Sequence, residues 1–222
     1  MRAFHFTQAE FALLAIKHWR LKVSRFDELN DPFELLGAEL SQPQFRKNFR
    51  DFKRWTSDRF GLLCFSRSRK SPLLWSHYAD KHSGVAFEFD IDDEVVNEVH
   101  YRLRRHVLDV DARIRQGGFS EDDAIKLATT KSTHWRDEQE IRVFVNLADC
   151  SRENGLYFER LSREIRLKNI IFGPLCSLSH HDLAKVLPKG ERVGVYKSRL
   201  AFKSYEIVYD KSFKRMVVDG RA

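Results

Sequence analysis

Apolar and polar residues alternate most clearly in the run that begins at position 135, WRDEQEIRVFV. From position 141 onward the alternation predicts a half-buried strand over residues 141–147. Side chains two positions apart share one face of a strand. The apolar residues of the run then point into the core, and Glu138, Glu140 and Arg142 line the opposite face together.

Glu138 and Glu140 permit two interpretations. Carboxylates side by side on one strand face repel each other, so the pair alone does not stabilise a fold. At the edge of a cleft, one of the carboxylates can act on a substrate. On a solvated strand face, Arg142 is simply their counter-charge. The segment by itself leaves both interpretations open.

Periodicity predicts helices and strands along the rest of the chain. A capping box of Thr7 and Glu10 is expected to open the first helix. Helices are predicted at 8–20, 43–58, 120–131 and 180–187, and strands at 3–7, 61–66, 84–90, 141–147, 169–173, 193–197, 204–209 and 213–218. Helices cluster early and strands dominate the second half, which predicts one α+β domain over residues 1–222, with mixed or antiparallel sheets.

The charge balance favours a polyanionic partner. The 222 residues carry a net charge of +7, with a pI of about 9.4. Basic residues interleave with aromatic ones over residues 44–59, and a second basic cluster covers residues 102–106. We therefore predict contacts to nucleic acid from Arg50, Lys53, Arg54, Arg104 and Arg105. A helix with a buried aromatic stripe and a solvated basic face explains the first cluster equally well.

Several classes of protein are not indicated. No apolar run has the length of a membrane span, so no membrane partner is expected. The three cysteines form no Cys-x-x-Cys motif, which favours a reduced, cytoplasmic setting. A Gly-rich phosphate loop is missing, and the nine histidines lack the spacing of metal ligands. We expect no metal cofactor.

Seven segments together resemble a bacterial family of unassigned function that is often noted near toxin and phage-defence genes. The blocks WSHYA and WxxExE are the most specific of them. The segments are 5–7 (HFT), 29–34 (LNDPFE), 63–66 (LCFS), 74–85 (LWSHYADKHSGV), 99–101 (VHY), 131–142 (K…WRDEQEIR) and 170–173 (IIFG).

A second resemblance suggests an activity. A histidine on the first strand, a tyrosine midway and a Glu-x-Glu opening a later strand resemble an ADP-ribosyltransferase. The middle tyrosine is Tyr78 or Tyr101, and the choice stays open. This resemblance implies a transferase-like fold, NAD as co-substrate and no metal.

The resemblance also implies roles for the carboxylates. Cleavage of the nicotinamide–ribose bond passes through an oxocarbenium-like state, which a nearby carboxylate stabilises. Glu140 is the candidate for that role. Glu138 is the candidate for orienting or deprotonating the acceptor.

The remaining implied roles concern NAD binding. His5 and Thr7 would bind the adenosine-side ribose, and Tyr78 or Trp75 would stack on nicotinamide. Residues 64–66 (CFS) take the place of the Ser-Thr-Ser motif of the transferases. Ser66, the last of them, is predicted to contact the cofactor. An arginine fork suits the pyrophosphate, and the candidates for it are Arg25, Arg67 and Arg142.

Three functions are kept open. The first is an ADP-ribosyltransferase that acts as a toxin or phage-defence effector on RNA or DNA, with an antitoxin protein as a possible partner. The second is a metal-independent nuclease that uses His5, His77 and a glutamate. The third is a nucleic-acid-binding module without enzymatic activity.

Overall fold

A computed structural model describes residues 1–41, 43–107 and 120–220. Its α-helices are α1 (Ala9–His18), α2 (Pro43–Ser57), α3 (Pro72–Tyr78), α4 (Glu121–Ala128) and α5 (His180–Val186), and Asp93–Val95 and Thr133–Glu138 form 3₁₀ helices. Its strands are β1 (Arg2–Thr7), β2 (Arg20–Arg25), β3 (Phe60–Ser66), β4 (Val85–Ile91), β5 (Asn97–Glu98), β6 (His100–Arg102), β7 (Thr130–Ser132), β8 (Glu140–Asn146), β9 (Ser151–Glu153), β10 (Leu156–Arg160), β11 (Ile165–Phe172), β12 (Arg192–Leu200), β13 (Ile207–Tyr209) and β14 (Met216–Asp219).

One mixed sheet of twelve strands joins the two ends of the chain into a single α+β domain. The strand order is β13-β12-β11-β4-β1-β3-β2-β10-β9, with β14 on β12, β8 on β3 and β5 on β8. Most pairs are antiparallel, whereas β11 and β12 are parallel with α5 between them in the chain. Strands β6 and β7 form a separate parallel pair. The predicted α+β class with a mixed sheet is confirmed.

The sheet forks at β3. Its pairing with β1 is at Ser66, whereas its pairing with β2 is at Gly61 and Leu62. Strand β8 occupies the other edge of β3 over its whole length. Strands β1 and β2 therefore diverge along one edge of β3, and the backbone between the two pairings needs other hydrogen-bond partners.

Three apolar clusters hold these elements. The largest packs α1 and α5 against the sheet, with side chains such as Ile16, Phe87 and Leu183 fully buried. A second cluster packs α3 against β1 through Trp75 and Phe6. None of the described helices combines the length and apolar character needed to cross a membrane.

The boundaries of several predicted elements need correction. Helix α1 begins at Ala9 with Gln8 as its N-cap and without a side-chain cap, so the predicted capping box of Thr7 and Glu10 is wrong. The helix predicted at 120–131 is capped by Ser120 but ends at Ala128. Residues 130–132 form β7 instead, because this segment pairs in parallel with β6.

Candidate functional site

A cavity of about 220 Å³ opens at the fork of the sheet. Its walls come from β1, β2, β3, β7, α3, the segment after β2 and the turn before β8. The lining residues are Phe4, His5, Phe6, Ser24, Glu28, Leu29, Asn30, Asp31, Glu34, Cys64, Phe65, Ser66, Leu74, Tyr78, Lys131, Glu138 and Glu140. Aromatic side chains therefore face a group of carboxylates and one lysine.

Arg142 anchors the buried side of this group. Its Nε donates to Glu140 Oε1 at 2.8 Å, and its Nη2 donates to Glu140 Oε2 at 3.1 Å and to Glu34 Oε1 at 2.6 Å. Its Nη1 donates to Glu34 Oε2 at 2.8 Å and to the Ala128 carbonyl at 2.6 Å. All five N–H donors of the guanidinium are satisfied. Arg142 is 0% exposed, so the predicted solvated strand face is wrong, whereas its role as counter-charge is confirmed.

Lys131 links the carboxylates at the cavity surface. Its Nζ donates to Glu138 Oε2 at 2.5 Å and to Glu140 Oε2 at 2.9 Å, and lies 3.9 Å from Glu34 Oε1. Burial lowers the pKa of Lys131, but the charges of Glu140 and Glu138 outweigh this effect and raise it above its usual value. When all five groups are ionised, three carboxylates face two cations, and the network has one net negative charge.

Glu140 is the most firmly held of the carboxylates at the cavity. Burial raises its pKa, but the charges and hydrogen bonds of Arg142 and Lys131 bring the pKa down to about 2. Its lone pairs face these two cations. Glu140 therefore fixes the position of Lys131.

Glu138 is the more accessible carboxylate, with a side chain that is 12% exposed. It ends the 3₁₀ helix, and Gln139 then turns the chain in the left-handed region with φ of 46°. The prediction that Glu138 belongs to the strand is therefore wrong. The left-handed turn nevertheless brings both carboxylates onto Lys131. Ser66 Oγ donates to the Glu138 carbonyl at 2.6 Å, which holds this turn against β3.

Tyr78, rather than Tyr101, lines the cavity. The Tyr78 hydroxyl donates to Glu138 Oε1 at 2.5 Å and accepts from Asn30 Nδ2 at 2.9 Å. Burial and the neighbouring Glu138 charge raise the pKa of Tyr78. The Tyr101 hydroxyl accepts from the Glu140 backbone N–H at 2.8 Å, and burial raises its pKa to about 12. Tyr101 supports the strand from outside the cavity.

His5 lies at the fork of the sheet. Its Nδ1 is 2.9 Å from the Cys64 carbonyl on the open stretch of β3. A carbonyl only accepts, so Nδ1 carries the proton, and burial lowers the pKa of the ring. Phe4, Ser66 and Glu140 pair in one row across the strands. His5 is the next residue after Phe4 on β1, so its side chain leaves the strand on the opposite face from that of Phe4. It nevertheless lines the same cavity as Glu140.

The other predicted NAD contacts lie outside the cavity. Trp75 is 0% exposed, donates from Nε1 to the Arg69 carbonyl at 2.7 Å and packs edge-on against Phe6. Its ring is a core element, so stacking of Trp75 on nicotinamide is not supported. Thr7 ends β1 opposite Val85 and does not line the cavity.

The arginines predicted to hold a pyrophosphate already have partners. Arg25 contacts Asp27 at 2.9 Å and Asp58 at 3.8 Å. Arg67 forms an ion pair with Glu98. Arg142 has no free donor, as described above. Arg142 therefore has no donor for a phosphate, and Arg25 and Arg67 are already paired with carboxylates.

The two predicted nucleic-acid clusters differ in their relation to the cavities. Arg50, Lys53 and Arg54 lie at i, i+3 and i+4 on α2 and line none of the described cavities. Arg104 and Arg105 line a groove of about 250 Å³ together with Arg102. Asp31 and Lys131 belong to both this groove and the cavity.

Glu34 and Lys131 are central to the site but were not among the predicted site residues. Both lie in segments that carry the family resemblance, 29–34 and 131–142, and this was the available signal. Their roles follow from pairings between distant parts of the chain. The described residues hold no group of three or more His, Cys, Asp or Glu side chains placed to bind a metal.

Comparison with known families gives one match. Residues 74–143, about a third of the chain, match the model of a family described as "Protein of unknown function (DUF2971)". The match includes Tyr78, Lys131, Glu138, Glu140 and Arg142. It supports the prediction of a family of unassigned function. No curated protein and no solved structure matches the chain.

Proposed function

We propose that the protein is an NAD-dependent ADP-ribosyltransferase that cleaves the nicotinamide–ribose bond in the cavity at the fork. One observation carries the proposal: the Glu138 carboxylate lies at the cavity wall, held between the Tyr78 hydroxyl and Lys131 Nζ. A carboxylate fixed in this way is suited to stabilising positive charge, because its hydrogen bonds leave it little freedom to reorient.

The electrostatics of the cavity favour a cationic transition state. The nicotinamide ring of NAD is positively charged, and bond cleavage shifts that charge onto the ribose. The network around Lys131 carries one net negative charge when ionised, and it lies beside Phe4, Phe6 and Phe65 in a largely apolar cavity. Charge interactions are stronger in such surroundings than in water.

The contacts suggest a division of roles between the two carboxylates. Glu138 faces the ribose and stabilises its developing charge, whereas Glu140 acts through Lys131 as a positioning residue. The C1′–N bond breaks, and its electron pair leaves with neutral nicotinamide. The acceptor nucleophile then bonds to C1′, and its proton passes to Glu138.

The acceptor in this proposal is RNA or DNA, with a role as a toxin or phage-defence effector. The net charge of +7 and the basic residues Arg50, Lys53 and Arg54 of α2 support an anionic acceptor. An antitoxin protein that blocks the cavity is a corresponding expectation. The nuclease alternative has less support, because His5 is held by Cys64 and His77 does not line the cavity.

Nicotinamide release from NAD tests the proposal. We expect the purified protein to release nicotinamide in the presence of nucleic acid, and Glu138→Gln to lower the rate about 100-fold or more. Glu94→Gln is the matched control, because Glu94 is exposed on a separate 3₁₀ helix. A folded Glu138→Gln variant with the full rate would contradict the proposal.

A further inference from the structure

The cavity at the fork is too small for a whole dinucleotide. Its volume is about 220 Å³, whereas sites for drug-sized ligands are roughly 300–1,000 Å³. A nucleotide whose ribose end enters this cavity must therefore place its phosphates outside. The neighbouring groove of about 250 Å³ shares part of its wall with the cavity, because Asp31 and Lys131 line both.

The groove is strongly cationic. Arg102, Arg104 and Arg105 line it, and all three are exposed. None of them forms an ion pair within the part of the chain that the structure describes. Arg105 instead lies 5.0 Å from the centre of the Phe33 ring. Among the described residues that line the groove, Asp31 is the one carboxylate, and it accepts a hydrogen bond from the Phe33 backbone N–H at 2.9 Å.

The position of these arginines follows from strand pairing. Strand β6 pairs in parallel with β7, which places Tyr101 opposite Lys131 and Arg102 opposite Ser132. Tyr101 supports Glu140 from this side. The basic segment thus starts at Arg102, the last residue of a strand that is fixed to the network around Lys131.

We infer that this groove binds the diphosphate of a nucleotide whose ribose end enters the cavity. The inference deepens the proposed function and rests on it for the identity of the ligand. In NAD a single ribose separates the diphosphate from the scissile bond, so the two sites have to adjoin. Guanidinium groups bind phosphate oxygens through paired N–H donors. Arg142 has no free donor and Arg25 and Arg67 are paired with carboxylates, whereas Arg102, Arg104 and Arg105 form no ion pair among the described residues.

ADP binding measured by calorimetry tests the inference, because ADP has the diphosphate but no nicotinamide bond. In the triple variant Arg102→Gln, Arg104→Gln, Arg105→Gln, we expect the affinity to fall about tenfold or more. The control variant Lys189→Gln, Lys203→Gln, Lys211→Gln removes the same charge from exposed lysines outside the groove. We expect this control to bind ADP as the unchanged protein does.

Three outcomes would overturn the inference. In the first, both triple variants bind ADP with equal affinity. In the second, the unchanged protein binds inorganic phosphate as tightly as ADP. In the third, the arginines bind a single-stranded oligonucleotide and the protein does not bind ADP. The last outcome identifies a nucleic-acid surface. ADP binding that depends on the groove, without nicotinamide release from NAD, would contradict the transferase and leave the diphosphate site in place.

Discussion

At the scale of single residues, Arg142 and Lys131 determine which carboxylate is free to act. All five N–H donors of Arg142 are hydrogen-bonded to Glu34, Glu140 and the Ala128 carbonyl. Lys131 bridges Glu140 to Glu138. Glu138 is the most exposed of the three carboxylates, at 12%, and it accepts a hydrogen bond from the Tyr78 hydroxyl. We therefore expect a mutation in this network to lower stability when it removes a buried partner and, under the proposed function, to lower activity when it removes Glu138.

Removal of the Lys131 charge should destabilise the fold. Lys131→Met leaves the Glu138 and Glu140 carboxylates buried without their shared cation. We expect the free energy of unfolding to fall by about 3–5 kcal/mol. Lys70→Met is the control, because Lys70 is 54% exposed and its 3.5 Å ion pair with Glu206 lies at the protein surface. That change should cost about 1 kcal/mol or less. Equal urea midpoints of the two variants would contradict the buried network.

Glu140 should make the stability depend on pH in the acid range. Its pKa is about 2 in the folded protein, against a usual value of 4.5. Because the pKa of Glu140 is lower in the folded protein than in the unfolded chain, its contribution to the free energy of unfolding is complete above the unfolded pKa. The contribution is lost as the pH falls towards the folded pKa. We expect a contribution on the order of 3 kcal/mol, lost between pH 4.5 and about 2.

Urea unfolding at several pH values measures this dependence. Glu140→Gln should be less stable at neutral pH and should lose less stability than the unchanged protein on acidification. A Glu140→Gln variant with an unchanged acid dependence would show that another carboxylate is responsible.

At the scale of elements, the sequence pattern located some strands closely and missed others. Alternation predicted β3 and β8 to within a residue. The 3₁₀ helix before β8 carries no such periodicity, and a left-handed Gln139 is not a standard turn signal. The hairpin of β9 and β10, with Asn154 and Gly155 both at positive φ, was also missed although Asn-Gly is a strong hairpin signal.

Gly84 lies where the end of β1 and the segment after α3 closely approach its backbone. A Cβ at Gly84 would lie 2.2 Å from the Thr7 carbonyl oxygen and 2.9 Å from the Ala79 carbonyl carbon. These are backbone atoms of the ends of β1 and the segment after α3, so they cannot move independently. A side chain here would displace α3, which carries Tyr78.

Gly84→Ala should therefore destabilise the protein by about 1–3 kcal/mol or more. Gly190→Ala is the comparison, since Gly190 has φ of 88° but no atom within 4 Å of its added Cβ. Only backbone strain acts there, at about 1 kcal/mol. Thermal unfolding of both variants measures the difference. A Gly84→Ala variant as stable as Gly190→Ala would contradict the close packing of β1 and α3.

At the scale of the whole molecule, the site depends on pairings that local sequence patterns do not encode. Glu34 and Arg142 are 108 positions apart, and their contact requires β8 to pair with β3. His5 and Cys64 are also distant in the sequence, and they meet because β1 and β3 are neighbours at the fork of the sheet. The sequence predicted Tyr78, Glu138 and Glu140, whereas the places of Glu34 and Lys131 in the site and the proposed division of roles between the two glutamates could not be predicted from it.

The most direct measurement of the central claim follows the label of NAD. The purified protein and its Glu138→Gln variant are incubated with adenylate-labelled NAD and separate pools of cellular RNA, DNA and protein. We predict nicotinamide release with transfer of label to RNA or DNA by the unchanged protein, and neither by Glu138→Gln. A folded, unchanged protein that releases no nicotinamide and transfers no label with any of the three pools would contradict the account.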